Sequence, residues 1–572
     1  MVPGIGLDSP LFDGLDAAGL EDVLQTMHRR HFEPAEVLCR AGEASDSLFV
    51  IQQGLVHVLA DDVADPANVA APVVLDRQRV GDVIGELALL TGDPRSATLV
   101  ARVPTDVLEL RREAFLPLAQ RFPVLLANLG RIVSQRLVAM NAGVVRVRRA
   151  EAVGVVFGQA CMAWATDVID ATQAASSRPV AAIDLVEAGE VGPSAGQVLE
   201  RLESLLRGHG IVLMVLGADH PELPVLLDHM DRVVALLGAD EVREHASRLT
   251  ALAAHLELIA IGTRGEPSAG SAIPRVVRSC GPDLQGADLA WLGRHLARAK
   301  LGLALGAGGA KGYAHVAVIR ALERAGYTID YVAGSSIGAW VGAWLACGMN
   351  ADAIERTLRA AFMPETVGVL FRQAAGQQSA SELMARLAQD TTDARDFADL
   401  TVPLVIMTAD LVGRQPTPIM AGLVHEALVA AMAVPGLYPP VQRGPHRLVD
   451  AVALTPVPTE AVKAAGADVT IAVNLLGREA LSVWQGVDPP DPFRGRDGAA
   501  ERDTVVEVLE LAQLEAAAQQ TGRADVPITP RFGPGTWRHF QLADFFLVAG
   551  AEAAQAALPA LRALARPQSA AG

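Results

Sequence analysis

The rhythm of apolar and polar positions changes along the 572-residue chain, and each change predicts a different kind of element. Up to about residue 140, short alternating runs, Ser47 to Ile51 and Leu55 to Leu59, are separated by Gln52, Gln53 and Gly54, which predicts a small antiparallel β structure. Pro117 to Met140 reads as helices that close it. From Ala152 to Gly262 the apolar runs become continuous and alternate with helical segments: Val153 to Phe157, Val180 to Leu185, Ile211 to Leu216, Val233 to Leu237 and Leu256 to Ile261. That periodicity predicts a parallel α/β layer. Gly262 to Ala287 has the Gly, Pro and Ser content of a linker. A second strand and helix alternation starts near Ala299 and includes Leu301 to Leu305, Pro403 to Asp410, Gly422 to Met432 and Val469 to Leu475. Gly477 to Thr504, rich in Pro, Gly and Asp, reads as an insertion or lid, and helices return at Val505 to Gln519 and Leu542 to Leu564. The expected organisation is a multidomain α/β chain with domains over 1–145, 150–262 and 299–565 and a linker over 263–298.

The stretch from Leu301 to Gly348 carries the most specific chemistry. A strand leads into Gly306, Ala307, Gly308, Gly309, Ala310, Lys311 and Gly312, and then into a helical pattern from Tyr313 to Ala325. Glycines let such a loop bring backbone N–H groups close to a ligand, and the following helix aims its positive end at the same point. After a second apolar run come Gly334, Ser335, Ser336, Ile337 and Gly338, a G-x-S-x-G elbow with Ser336 at its tip. A serine hydroxyl needs a base, and the oxyanion formed by its attack needs preorganised donors. Downstream, Asp450 follows an apolar approach and precedes a proline-punctuated loop, so it is expected at a strand end.

This order of glycine-rich loop, G-x-S-x-G and late Asp resembles the patatin-like phospholipases. The resemblance implies a three-layer α/β/α domain and a Ser-Asp dyad without histidine or metal. Ser336 is then the nucleophile, Asp450 its base, and the N–H groups of Gly308, Gly309 and Ala310 the oxyanion donors, with Lys311 at the family's basic loop position. The substrates it implies are acyl esters of phospholipids or lysophospholipids. One departure stands out: the family has Gly after the Asp, and here Ala451 and Val452 follow. If that glycine supplies a special backbone angle, alanine strains it. Two alternatives remain open. A Ser336, Asp450, His539 triad has the chain order of the α/β-hydrolases, although His539 reads as a surface residue. A hydrolase-like domain that only binds lipid or a partner is the other.

Gly85, Glu86, Leu87, Ala88 and, after a short gap, Arg95, Ser96 and Ala97 resemble the phosphate-binding cassette of cyclic-nucleotide-binding domains, with Gly42, Glu43 and the Gly54 turn matching that family's β-roll. The resemblance implies a short helix whose N–H groups meet a cyclic phosphate, Arg95 as a fixed positive fork, Glu86 on the ribose 2′-hydroxyl, and Ser96 and Ala97 completing the phosphate contacts. Cyclic AMP or cyclic GMP is the implied allosteric ligand; catalysis needs no cofactor. Joined to a C-terminal esterase by a middle α/β region, the arrangement is similar to that of neuropathy target esterase.

Composition narrows the partners. A net charge of −17 argues against nucleic acid and against general attraction to anionic membranes, but leaves room for local lipid contact. Cys39, Cys161, Cys280 and Cys347 lack pairing or metal spacing and fit a reducing compartment. Without a signal peptide or an apolar run of membrane-spanning length, the expectation is a cytoplasmic protein able to touch a membrane peripherally.

Overall fold

The computed structural model describes residues 9–44, 46–59, 74–141, 150–186, 193–252, 256–262, 276–281, 283–363, 366–367, 378–435, 437–476, 499–533 and 535–567. Most of the expected insertion lies outside this set. The chain divides into two compact units, one of Met1–Ala165 with Val180–Asp283, the other of Thr166–Pro179 with Leu284–Gly572.

The first unit opens with a β-roll of two four-stranded antiparallel sheets. His28–Phe32, Thr105–Arg111, Ser47–Gln53 and Val83–Ile84 form one; Val37–Cys39, Thr98–Ala101, Val56–Leu59 and Val74–Gln78 form the other. The period-2 alternation of Thr98–Ala101 puts Leu99 and Ala101 inside with Phe32, Phe49, Ile51 and Val107. Two helices close the roll, Arg112–Arg121 and Pro123–Asn141, and Phe115, Leu118, Leu125 and Leu129 bury against Leu11 and Val23. The first begins ahead of the expected Pro117, which sits inside it.

Six parallel strands follow, in the order Val180–Asp184, Ile211–Gly217, Glu151–Phe157, Arg232–Gly238, Leu256–Ile261 and Val276–Cys280. Continuous apolar runs such as IVLMVLG, buried at every position, are what a sheet covered on both faces requires. The sixth strand corrects the sequence reading: part of the expected linker is an edge strand paired with Leu256–Ile261. Roll and sheet are tied by Arg79, which follows the strand Val74–Gln78. It bonds Glu203 at 3.3 Å, Asp231 at 3.1 Å and the His229 carbonyl at 2.7 Å. Asp231 in turn accepts the Ala152 amide at the start of a sheet strand.

The second unit is a three-layer α/β/α domain. Its eight-stranded sheet runs Val441–Arg443, His446–Asp450, Leu404–Asp410, Tyr331–Ser335, Leu301–Leu305, Val469–Val473 and Val526–Ile528, with Gln415–Ile419 added to Leu404–Asp410. Its central strands are parallel, so their C-terminal ends share one side. Ala304, Ala333 and Ala472 face Val462 of the helix Thr459–Ala464 and Ala517 of the helix Ala499–Gly522. Val332 and Leu305 face the helix Ile337–Ala346 at Gly342. That helix is apolar all round because it is buried all round; Trp340 and Trp344 are fully enclosed.

The unit begins earlier than the expected Ala299. Its helix Gly286–Leu296 carries Arg294, whose guanidinium meets buried Asp330 bidentately, the shorter contact 2.7 Å. Asp330 also accepts the Leu301 amide at 2.9 Å, so one carboxylate fixes that helix to two adjacent strands. Removing it strands a buried cation. Asp330→Ala is expected to lower unfolding free energy by about 3–5 kcal/mol, measured as a lower midpoint in chemical denaturation.

Candidate active site

Ser336 leaves the strand Tyr331–Ser335 with φ +54° and ψ −126°, and the helix Ile337–Ala346 starts at the next residue. A non-glycine residue there costs of order 1–3 kcal/mol. The flanking glycines explain how the turn fits. A Cβ on Gly334 would lie 2.4 Å from the Ala339 backbone, and one on Gly338 would lie 2.1 Å from the Leu305 carbonyl oxygen. Strand and helix therefore meet with no side chain between them, and Ser336, 7% exposed, sits at the tip of the turn.

The glycine loop begins at the neighbouring strand end. Its amides at Gly306 and Ala307 donate to the carbonyls of Val473 and Pro456, at 3.0 and 2.9 Å. The Gly306 carbonyl accepts Nε2–H of His315 at 2.7 Å; complete burial holds that histidine down at about 4, so it is neutral and structural. Here the structure corrects one expected donor. The Ala310 amide is spent on the Trp537 carbonyl at 2.7 Å, and Ala310 does not line the cleft. Gly308 and Gly309 do line it, and among the described residues their amides have no such carbonyl partner. Gly309 has φ +55°, and a Cβ there would meet the Trp537 carbonyl oxygen at 2.6 Å. Lys311 turns away, its ammonium 3.4 Å from the Leu475 carbonyl and above the Phe532 ring.

Asp450 ends the strand His446–Asp450 and is 1% exposed. Its Oδ1 accepts the Val452 amide at 2.9 Å, while Oδ2 is buried with no partner. Burial raises its pKa to about 7; the nearby Ser336 hydroxyl and the Val452 amide pull the other way. The Ser336 hydroxyl lies 3.7 Å from Met432 Sδ, and Ser336 and Asp450 line the same cleft. The concern over Ala451 is answered by geometry. Ala451 opens a 3₁₀ turn, is absent from the positive-φ positions, and buries its methyl completely among Ala307, Val405 and Met407.

These groups share a cleft of about 830 Å³, counting space open to solvent, whose walls include Phe362, Met384, Met432, Leu437, Trp537 and Phe540. Sequence reading missed this apolar wall, which is assembled from four distant segments. His539 is not the surface residue expected: it is 4% exposed, its Nδ1 accepts the Thr536 amide, and it is not among the cleft-lining residues.

In the β-roll, Gly85 takes φ +83° and Glu86 opens a six-residue helix, 3% exposed. Arg95 is 7% exposed; Nη2 donates to Ser47 Oγ at 3.1 Å, and Nη1 is buried without a partner among the described residues, pressed against Gly85. Its guanidinium lies 5.4 Å from the Phe49 ring centroid. A buried cation with an unpaired donor beside a glycine turn is suited to an anion. Ser96 is exposed and Ala97 half-buried, while the side chains of Leu87 and Ala88 lie outside the described set.

Comparison with known proteins finds matches in both regions of the chain. Residues 303–463 match the family model of patatin-like phospholipases and residues 29–122 that of the cyclic nucleotide-binding domain. An uncharacterized NTE family protein of Mycobacterium bovis is 27% identical over 97% of this chain and 96% of its own. Lysophospholipase nte1 of Neosartorya fischeri is 23% identical over 77% of this chain and 35% of its own. The catabolite activator protein of Thermus thermophilus matches 23% of this chain and 60% of its own at 28% identity, with a TM-score of 0.21.

The Ala451 geometry makes a prediction. Ala451→Gly removes a buried methyl and adds backbone freedom without relieving strain, so it is expected to cost about 1 kcal/mol of stability in denaturant unfolding and to leave ester turnover within roughly twofold.

Proposed function

We propose that this chain, in which a patatin-like phospholipase domain follows a cyclic nucleotide-binding domain, hydrolyses acyl esters of phospholipids or lysophospholipids through Ser336 and Asp450, under cyclic-nucleotide control. One observation carries the reading: a serine held at a strained elbow and an aspartate with a buried oxygen unpaired among the described residues line the same apolar cleft, beside glycine amides that have no carbonyl partner among those residues.

In the proposed reaction the ionised Asp450 accepts the Ser336 proton as Oγ adds to the ester carbonyl. The C=O electron pair moves onto oxygen, and the amides of Gly308 and Gly309 stabilise that charge. Collapse breaks the bond to the alcohol portion, which leaves with the proton from Asp450. Water, deprotonated by Asp450, then attacks the acyl-serine ester; the bond to Oγ breaks, Asp450 returns its proton to Ser336, and the fatty acid is released. Phe362, Met432, Trp537 and Phe540 supply the apolar surface that an acyl chain needs. A triad through His539 lacks support, since its Nδ1 is already engaged by Thr536. In the β-roll, Arg95 and the Gly85 turn would hold the cyclic phosphate, and Glu86 the ribose.

Ser336→Ala is expected to abolish fatty-acid release from lysophosphatidylcholine and labelling by a fluorophosphonate. Because the working form of Asp450 is the anion and burial raises it to about 7, kcat/KM should fall as pH drops below about 7 and level off above. A profile flat between pH values of about 5 and 8 would remove Asp450 as the base. Arg95→Gln is expected to weaken cyclic AMP or cyclic GMP binding about tenfold or more in calorimetry, by losing a charged hydrogen-bond donor.

A further inference from the structure

Beside the cleft, two hairpins reach past the sheet. The strand Leu404–Asp410 runs parallel to Tyr331–Ser335 with Met407 level with Ser335. Leu411 therefore stands four residues beyond the level of Ser335, past the strand end from which Ser336 follows, or about 13 Å at ~3.3 Å per residue. The turn that follows, Leu411 to Arg414, leads into Gln415–Ile419. Its neighbour is the turn between Val441–Arg443 and His446–Asp450, joined to it by the Leu411 amide on the Arg447 carbonyl.

Asp410 makes this double tip rigid. Buried at 3% exposure, its carboxylate accepts the amides of Val412, Gly413 and Arg447, all within 3.1 Å, and Nδ1–H of His446 at 2.7 Å. Around that knot the surface is unusual for this chain. Leu411 and Val412 are 46% and 59% exposed side by side. Arg414 and Arg447 are exposed, and their side chains make no ion pair or hydrogen bond among the described residues. His446 is half-exposed, and Arg443 reaches the Ala421 carbonyl. Residues 411–420 and 441–449 contain no Asp or Glu, in a chain with a net charge of −17. An acidic protein would be repelled by an anionic surface as a whole, so a tip whose carboxylate, Asp410, is buried and which combines two exposed aliphatic side chains with arginines unpaired among the described residues has the complementarity such a surface requires.

We propose that this tip docks the chain onto a bilayer containing anionic phospholipid, with Leu411 and Val412 entering the headgroup region and Arg414 and Arg447 meeting lipid phosphates. The docking delivers the cleft of Ser336 to the surface where its substrate lies. Its purpose rests on the lipid-hydrolase reading, but its test does not.

The test is co-sedimentation of the full chain, and of its Ser336→Ala form, with phosphatidylcholine vesicles with and without phosphatidylglycerol. Binding is expected to the phosphatidylglycerol vesicles and to weaken as salt rises. Arg414→Glu with Arg447→Glu should lower that affinity about thirtyfold or more, at about 1 kcal/mol for each basic residue lost. Leu411→Ser with Val412→Ser should weaken binding and leave its salt dependence in place. Turnover of a soluble short-chain ester should be unchanged in both double variants, and an unchanged unfolding midpoint reports folding independently. Vesicle binding equal to wild type in both double variants, or no binding by the wild type, overturns the proposal. Absent ester turnover with intact, tip-dependent vesicle binding would overturn the hydrolase reading alone.

Discussion

The close approach of the helix Ile337–Ala346 to its own strand is the constraint on which the catalytic unit depends. With Gly338 against the Leu305 carbonyl and Gly334 against Ala339, the chain can turn from strand to helix only through an unfavourable backbone angle at Ser336. That angle persists because the helix is wholly enclosed. Trp340 packs edge-on against Trp344 and Phe362, and Phe362 stacks on Phe540 at the cleft wall. The strain at one residue is thus held by burial of large aromatic surface, and the same aromatics shape the space in front of the serine.

What could be read from the sequence follows from how local each signal is. The elbow and the end of the strand before Asp450 are short local patterns, and Ser336 and Asp450 fall in one cleft as the family resemblance implies. The Ala310 amide was misjudged because its partner, the Trp537 carbonyl, comes from a distant loop that no local pattern connects to it. His539 was misjudged for the same reason, its glycine- and proline-flanked segment folding inward instead of lying on the surface. The five continuous apolar runs of the middle region are all strands; the sixth strand escaped notice because Val276–Cys280 is short, bears Arg278 and follows a turn-rich stretch. The Ala451 departure brings no backbone strain because the turn after Asp450 is 3₁₀ and asks nothing special of φ.

In the first unit the polar contacts have a direction. Arg79 lies between the strand Val74–Gln78 and the Gly85 turn, and it holds Asp231 and Glu203 of the parallel sheet region. Burial raises the Glu203 carboxyl, which the arginine opposes. Arg79 thereby joins the β-roll to the entrance of the strand Glu151–Phe157, through Asp231 and the Ala152 amide.

That strand leads, past a short 3₁₀ segment, into Thr166–Pro179, which belongs with the second unit before the chain returns to Val180–Asp184 of the first. Ala171 of this excursion packs its carbonyl against Gly293. The two units are accordingly interleaved along the gene. A fragment starting at Leu284 holds every residue of the cleft but not the excursion that covers Gly293, and no single recombination point separates one unit whole from the other. Upstream of residue 150 the β-roll precedes that interleaving and lies wholly within the first unit.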